Sequence, residues 1–302
     1  MTRVVVVFLD GVGLGEDDPQ VNPLVAAHLP TLTGLLDGAR LVQGVGRLTA
    51  TLASLAPTDV HLGVRGRPQS ATGQTAIVTG LNAPQLIGEH FGPRPNAALR
   101  QLLEGPTLFA RALAAGRRVA FANAYPQGYF DAVARGKRLH GALPHAAQAA
   151  GVRLRTADDL RARQALSVDL TNAAWRSDLG YADMPLWTPA EAGAVLAGLA
   201  EQHDLVFFDH WGTDMAGHRV DLTASVRVIE EVDAFLAGLL AALDLASTLV
   251  LIISDHGNLE DVRIKAHTEN AVPTIAIGAG HAAFVERIYT LTDLTPALLD
   301  VL

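Results

Sequence analysis

The sequence contains no cysteine. Disulfides, thiolate catalysis and sulfur-ligated metal centres are therefore excluded. Lysine is nearly absent as well: Lys137 and Lys265 stand alone in 302 residues, and arginine supplies the rest of the positive charge. Acidic residues outnumber basic ones, 31 against 23, for a formal net charge of −8. That balance argues against capture of a nucleic-acid polymer or an anionic membrane surface. It leaves a small phosphorylated substrate open, because bound metal ions reverse the local field. The chain is 49% hydrophobic, yet no uninterrupted apolar run is long enough to span a bilayer. The N-terminal stretch MTRVVVVFLDG has one arginine, a run too short for a signal peptide and no small-residue cleavage site after it, so a cytoplasmic location is expected. The oligomeric state is not legible.

What is present is a rhythm of short β-type runs alternating with helical patterns, the signature of a mostly parallel sheet covered on both faces. Strands are expected near Arg3–Leu9, Arg118–Asn123, Asp204–Phe208, Thr248–Ser254 and Val272–Ile277. Helices are expected near Leu32–Leu36, Ser70–Thr79, Thr107–Ala115, Pro189–Glu201, Leu222–Leu243 and Leu294–Leu302. The stretch 125–187 breaks the rhythm, being polar and arginine-rich without strong strands. This predicts a core formed by 1–124 and 188–302, with 125–187 a small cap or insertion.

Four segments carry acids or histidines at or beyond predicted strand ends, where α/β enzymes place ligands. They are FLDG with Asp10, FFDHWGTDMAGH with Asp214 and His218, IISDHGN with Asp255 and His256, and KAHTENAVP with His267. The last fits least well, since it precedes its strand. Asp214 and His218 are four residues apart, so on a helical turn a carboxylate and an imidazole could grip one ion. Gly257 gives the backbone freedom to bend beside Asp255 and His256. Taken singly, each residue also has an ordinary reading as a turn, cap or core partner. Asp209 and His210 suit a supporting or a structural role. In PQSATGQTAIVTG, Ser70 precedes a predicted helix, where it could serve as an N-cap or as a nucleophile. No G-x-S-x-G elbow is present, whereas a metal-coordinated serine needs no histidine base.

In residues and order, LDGVGLG, SATGQTAIVTG, DMAGH, SDHGN and HTENAVP resemble the alkaline phosphatase superfamily. The likeness is greatest to its metalloenzyme branch, which contains cofactor-independent phosphoglycerate mutase and phosphopentomutase. The resemblance implies a three-layer α/β/α fold around a mostly parallel sheet, with a small inserted cap. It implies two divalent ions, Mn²⁺ or Zn²⁺, one bound by Asp214, His218 and His267, the other by Asp10, Asp255, His256 and Ser70. It also implies attack by Ser70 on a phosphate ester, through a phosphoserine. Arg94 and Asn96, together with Arg135, Lys137 and Arg138, are candidates for contacts with the substrate. The chain departs from the mutase pattern at Gln74, where the mutase has histidine, and in its shorter insertion. Both departures favour a phosphomonoesterase or phosphodiesterase over a phosphomutase, with a non-catalytic metal-binding protein as the rival of another class.

Overall fold

The computed structural model describes residues 2–302. Its centre is a sheet of seven strands: β1 (Arg3–Leu9), β2 (Leu48–Thr49), β3 (Ala53–Thr58), β4 (Val119–Phe121), β5 (Leu205–His210), β6 (Thr248–Ile253) and β7 (Val272–Gly278). The spatial order is β2-β3-β7-β6-β1-β5-β4. Strands β6, β1, β5 and β4 run parallel, while β7 is antiparallel to both β6 and β3. The parallel block explains the uninterrupted apolar character of RVVVVFL and TLVLII, because helices cover both faces and no side of these strands meets water. Alternation sorts their side chains between the layers: Val5, Val7 and Leu9 enter one apolar cluster, and Val4, Val6 and Phe8 the other.

The helix Pro189–Gln202 packs along Leu222–Ala242, with Gly193 and Gly238 at the contact. A Cβ on either glycine would collide with backbone of the facing helix, so their absence sets the close approach. The first of these helices starts at a capping box in which Thr188 and Glu191 bond reciprocally.

Strand β3 was not legible in the sequence. ASLAPT contains a proline and three small residues, a poor match to β-propensity, yet it pairs with β7 over six positions. Residues 125–187 form four short helices, Gln127–Ala134, Ala142–Ala149, Ala157–Arg161 and Ala173–Ser177. They do not stand apart as a detached lid. Leu143 and Ala146 belong to one apolar cluster and Leu166 and Trp175 to the other, so the segment wraps the β4 edge of the sheet. Among the described residues no helix is long and apolar enough to cross a membrane.

Candidate metal centre

The candidate residues meet at one edge of the sheet. Asp10 follows β1, Asp209 and His210 end β5, and Asp255 follows β6, all at the carboxyl ends of parallel strands. His267 precedes β7, but that strand runs the opposite way, so its beginning lies at the same edge. The poor fit seen in the sequence is thus the consequence of one reversed strand. Strand β3 is antiparallel to β7, hence parallel to β6, and the chain leaving it leads to Ser70.

Ser70 opens the helix Ser70–Thr79, which is buried throughout and ends at Gly80 in the left-handed conformation (φ 73°). The N-cap is Gln69, so the cap reading of Ser70 does not hold. The serine Oγ instead lies 3.0 Å from His256 Nε2. The same nitrogen is 3.3 Å from an Asp10 oxygen and 3.6 Å from an Asp255 oxygen. Gly73, one turn along, lets the helix rest against the Asp255 backbone and Cβ; a methyl there would come within 2.9 Å of both. Gln74 then donates its amide to Asp10 Oδ2 and Asp255 Oδ2, 3.2 Å each, so it bridges the two carboxylates.

On the other side, His218 Nε2 is 3.3 Å and His267 Nε2 3.7 Å from the Asp214 carboxylate. His218 Nδ1 lies 2.7 Å from the Lys265 carbonyl, and His267 Nδ1 2.8 Å from the Pro68 carbonyl. A carbonyl can only accept, so each Nδ1 carries the proton and each Nε2 offers its lone pair to the cluster. The His256 and His267 rings stack at 3.7 Å and bring the two halves together. Two sets of three donors lie within 4.8 Å of one another: Asp214 with His218 and His267, and Asp10 with Asp214 and His256. Asp214 is common to both, a sharing that spacing along the chain does not indicate.

The electrostatics define what the cluster lacks. Asp10 Oδ1 is buried with nothing but His256 Nε2, 3.3 Å away, to meet it. Burial and the neighbouring Asp10 charge hold the Asp255 carboxyl well above the usual carboxylate range. Burial opposes charge on His256, but Asp255 and Asp10 outweigh it and raise the ring to about 10. Buried oxygens and imidazole nitrogens converging without a cation fit a metal centre, since a divalent ion would neutralise the carboxylates and take the lone pairs. Asp209, whose Oδ1 is unpartnered, is pushed up by burial and by Asp10 and Asp255.

Further supports were not visible in the pattern. Buried Glu260 accepts from the backbone N–H groups of Gly13 (2.9 Å) and Asn258 (2.8 Å), from the Thr268 hydroxyl, and from the Asn270 amide (2.9 Å). It thereby ties together the loops after β1 and β6 and the His267 loop. Asn258 donates to Asp214 Oδ1 at 2.6 Å. Ser254 accepts from the Val12 N–H and donates to the His256 carbonyl. The available signal was contiguity, since Ser254, Asn258 and Glu260 all lie in the SDHGNLE run.

Arg94 and Arg138 line the cavity over Ser70, which has a volume of about 390 Å³. Asn96 does not belong to its walls: the side chain caps the helix Ala97–Leu103 by accepting from the Leu99 N–H at 3.0 Å. Arg135 and Lys137 are exposed and likewise absent from the walls.

Residues 188–302 match the family model described as "Metalloenzyme superfamily". A 2,3-bisphosphoglycerate-independent phosphoglycerate mutase of Roseobacter denitrificans is 37% identical over 117 residues, which is 36% of this chain and 23% of that protein. The chain therefore aligns with about a quarter of the length of the curated relatives it matches. Over the whole chain the likeness is one of fold. The PH0037 protein from Pyrococcus horikoshii superposes with a TM-score of 0.59 at 16% identity, covering 99% of this chain and 96% of the other. The alkaline phosphatase from the Antarctic bacterium TAB5 gives 0.54 at 14% identity, covering 99% and 98%. The chain thus shares the α/β fold of these structures, and its residues 188–302 resemble the metalloenzyme superfamily.

Proposed function

We propose that this chain is a metal-dependent phosphoryl-transfer enzyme that opens a small phosphate ester with Ser70. The observation that carries this reading is the Ser70 Oγ at the start of a buried helix, 3.0 Å from His256 Nε2 and facing the carboxylate cluster. In this reading Asp214, His218 and His267 hold one divalent ion, and Asp10, Asp255, His256 and Ser70 hold the other. Oxygen and nitrogen donors without sulfur suit Mn²⁺ or Zn²⁺. When bound, the ions supply positive charge for the phosphate oxygens and lower the pKa of the serine hydroxyl.

The chain's own residues account for the rest. Gln74 keeps Asp10 and Asp255 facing Ser70. The positive end of the helix dipole favours charge developing on the Ser70 oxygen. Arg94 and Arg138 line the cavity and can neutralise the phosphate or the remainder of the substrate. Ser70 Oγ attacks phosphorus in line, the ester P–O bond breaks, the alcohol leaves with a proton, and a phosphoserine remains. An acceptor oxygen then attacks that phosphorus and restores the serine.

The acceptor distinguishes two readings. The names of the curated relatives support a second hydroxyl of the substrate, the mutase outcome. Water as acceptor, the hydrolase outcome, rests on Gln74 and on the short 125–187 segment and has the weaker support. Phosphorus NMR of the metal-loaded protein with phosphate monoesters, diesters and 3-phosphoglycerate separates them. A rearranged ester without free phosphate identifies a mutase, and inorganic phosphate a hydrolase. No turnover of any ester, with Ser70 never phosphorylated, refutes the proposal.

A further inference from the structure

A second cavity of about 410 Å³ opens beside the one over Ser70, and Tyr125, Tyr129, Arg138 and Trp211 line both. Its character differs from that of the metal centre. Tyr125 stacks on Tyr129 at 4.4 Å (24° between planes) and lies nearly parallel to Trp211 at 6.3 Å (15°). These near-parallel rings are common to both cavities and join them. Across the cavity, Trp175 and Tyr181 meet edge to face at 5.0 Å, with Leu179 beside them.

The polar atoms of these walls are largely engaged within the protein. The Tyr129 hydroxyl is 2.6 Å from His140 Nδ1, and the Tyr181 hydroxyl accepts from the Gln127 N–H at 3.1 Å. Asp169 turns its carboxylate to its own loop, accepting from the Ser167 hydroxyl and the N–H groups of Asn172 and Ala174. What remains for a visitor is mostly carbon, the aromatic rings and the Leu179 side chain, with the Tyr125 hydroxyl and the Trp175 and Trp211 indole N–H groups as the polar points. Arg138 sits at the passage between the cavities, its guanidinium 4.8 Å above the Tyr129 ring.

We infer that this cavity receives the alcohol portion of the phosphate ester, and that this portion carries a planar aromatic ring. The inference rests on the phosphoryl-transfer reading of Ser70 and adds the substrate class to it. The shared walls connect the space over Ser70 with this cavity, so the alcohol of an ester held at Ser70 can extend into it. A flat apolar ring on that alcohol buries against Tyr125 and Trp211 and loses no hydrogen bonds. A short carboxylated or polyhydroxylated alcohol would lose water and find few free partners beyond Arg138, one tyrosine hydroxyl and two indole N–H donors.

The test compares 2-phenylethyl phosphate with propyl phosphate, two esters whose alcohols have similar basicity and differ in the ring. The aromatic ester is expected to have a kcat/KM roughly tenfold higher, the value of one strong aromatic contact. Leu179 is 45% exposed, so Leu179→Glu places charge in the cavity without emptying the core, and it should collapse that ratio towards one. Binding to the Ser70→Ala protein, followed through quenching of Trp175 and Trp211, measures the same preference without turnover. Turnover of both esters at equal kcat/KM, or tighter binding of 3-phosphoglycerate than of the aromatic ester, overturns the inference while leaving phosphoryl transfer standing. Preferential binding of the aromatic ester, abolished by Leu179→Glu but without turnover of either ester, supports the cavity and counts against the reading of Ser70.

Discussion

Replacing Glu260 with alanine removes the acceptor of four donors: three in the interior, the N–H groups of Gly13 and Asn258 and the Thr268 hydroxyl, and the part-buried Asn270 amide. A buried donor left without a partner costs about 1–3 kcal/mol. Even at the low end, with water reaching the Asn270 amide, the three interior donors amount to about 3 kcal/mol, a large share of a typical folding stability of roughly 5–15 kcal/mol. For a chain of this size each kcal/mol moves the midpoint by about 2 °C, so Glu260→Ala should melt about 6 °C lower. Glu260→Gln has a different outcome. The two backbone N–H groups cannot turn, so the glutamine oxygen must stay with them and its amide must face Thr268 and Asn270. The hydroxyl can rotate to accept. Asn270 can flip, at the expense of its 2.7 Å contact with the Gln43 amide. The cost falls to about 1–2 kcal/mol, or roughly 2–4 °C. Thermal unfolding of metal-free protein tests the fold alone, and the metal content of the same variants tests whether the ligand loops keep their places. An alanine variant within about 2 °C of the parent, or a glutamine variant as damaged as the alanine one, would refute the four-donor account.

Other expectations follow from the same geometry. Ser70→Ala should lower turnover by roughly a thousandfold or more while metal content stays unchanged, and a near-normal rate would remove Ser70 as nucleophile. His218→Ala should take the elemental analysis from two ions per chain to one, because Asp214 and His267 are left with too few ligands while the set around His256 stays complete. Metal binding should release protons: the His256 ring, raised to about 10, is protonated in metal-free protein at neutral pH and must lose that proton to present Nε2. Metal affinity therefore rises with pH up to that value, by up to about tenfold per unit for one proton, and calorimetry in buffers of different ionisation enthalpy should detect the release at pH 7. Gly238→Ala should cost about 1–3 kcal/mol in chemical denaturation, since a Cβ there collides with the Ala190 carbonyl of the facing helix.

The parallel centre of the sheet was legible because strands buried on both faces are written as unbroken apolar runs. For β1 the expected limits match the observed strand, and for β6 and β7 the limits agree to within one residue. Strand β3 was not legible, because its identity comes from pairing with β7 and not from its own composition. The candidate ligands were legible for a related reason. A residue at the end of a strand is placed by that strand, so short local motifs such as DMAGH and SDHGN carry the geometry with them. Asn96 shows where such inference breaks down: an asparagine near an arginine reads equally as a substrate contact or a cap, and only the Leu99 N–H decides.

The aromatic cavity left no local trace, and its construction explains why. Tyr125 follows β4, Trp211 follows β5, and Trp175 and Tyr181 come from the helix Ala173–Ser177 and the turn after it. These parts are separated by tens of residues and meet because 125–187 wraps the sheet edge. The two halves of the site are consequently under different constraints. Metal ligands cannot move without losing coordination, so their positions are tightly fixed. The walls of the neighbouring cavity need only present flat apolar faces, which many arrangements can supply. On the proposed reading, a chain of this fold can therefore keep its phosphate chemistry while changing the alcohol it accepts, and the change would be made in the 125–187 segment and at Trp211, outside the runs that carry the candidate ligands.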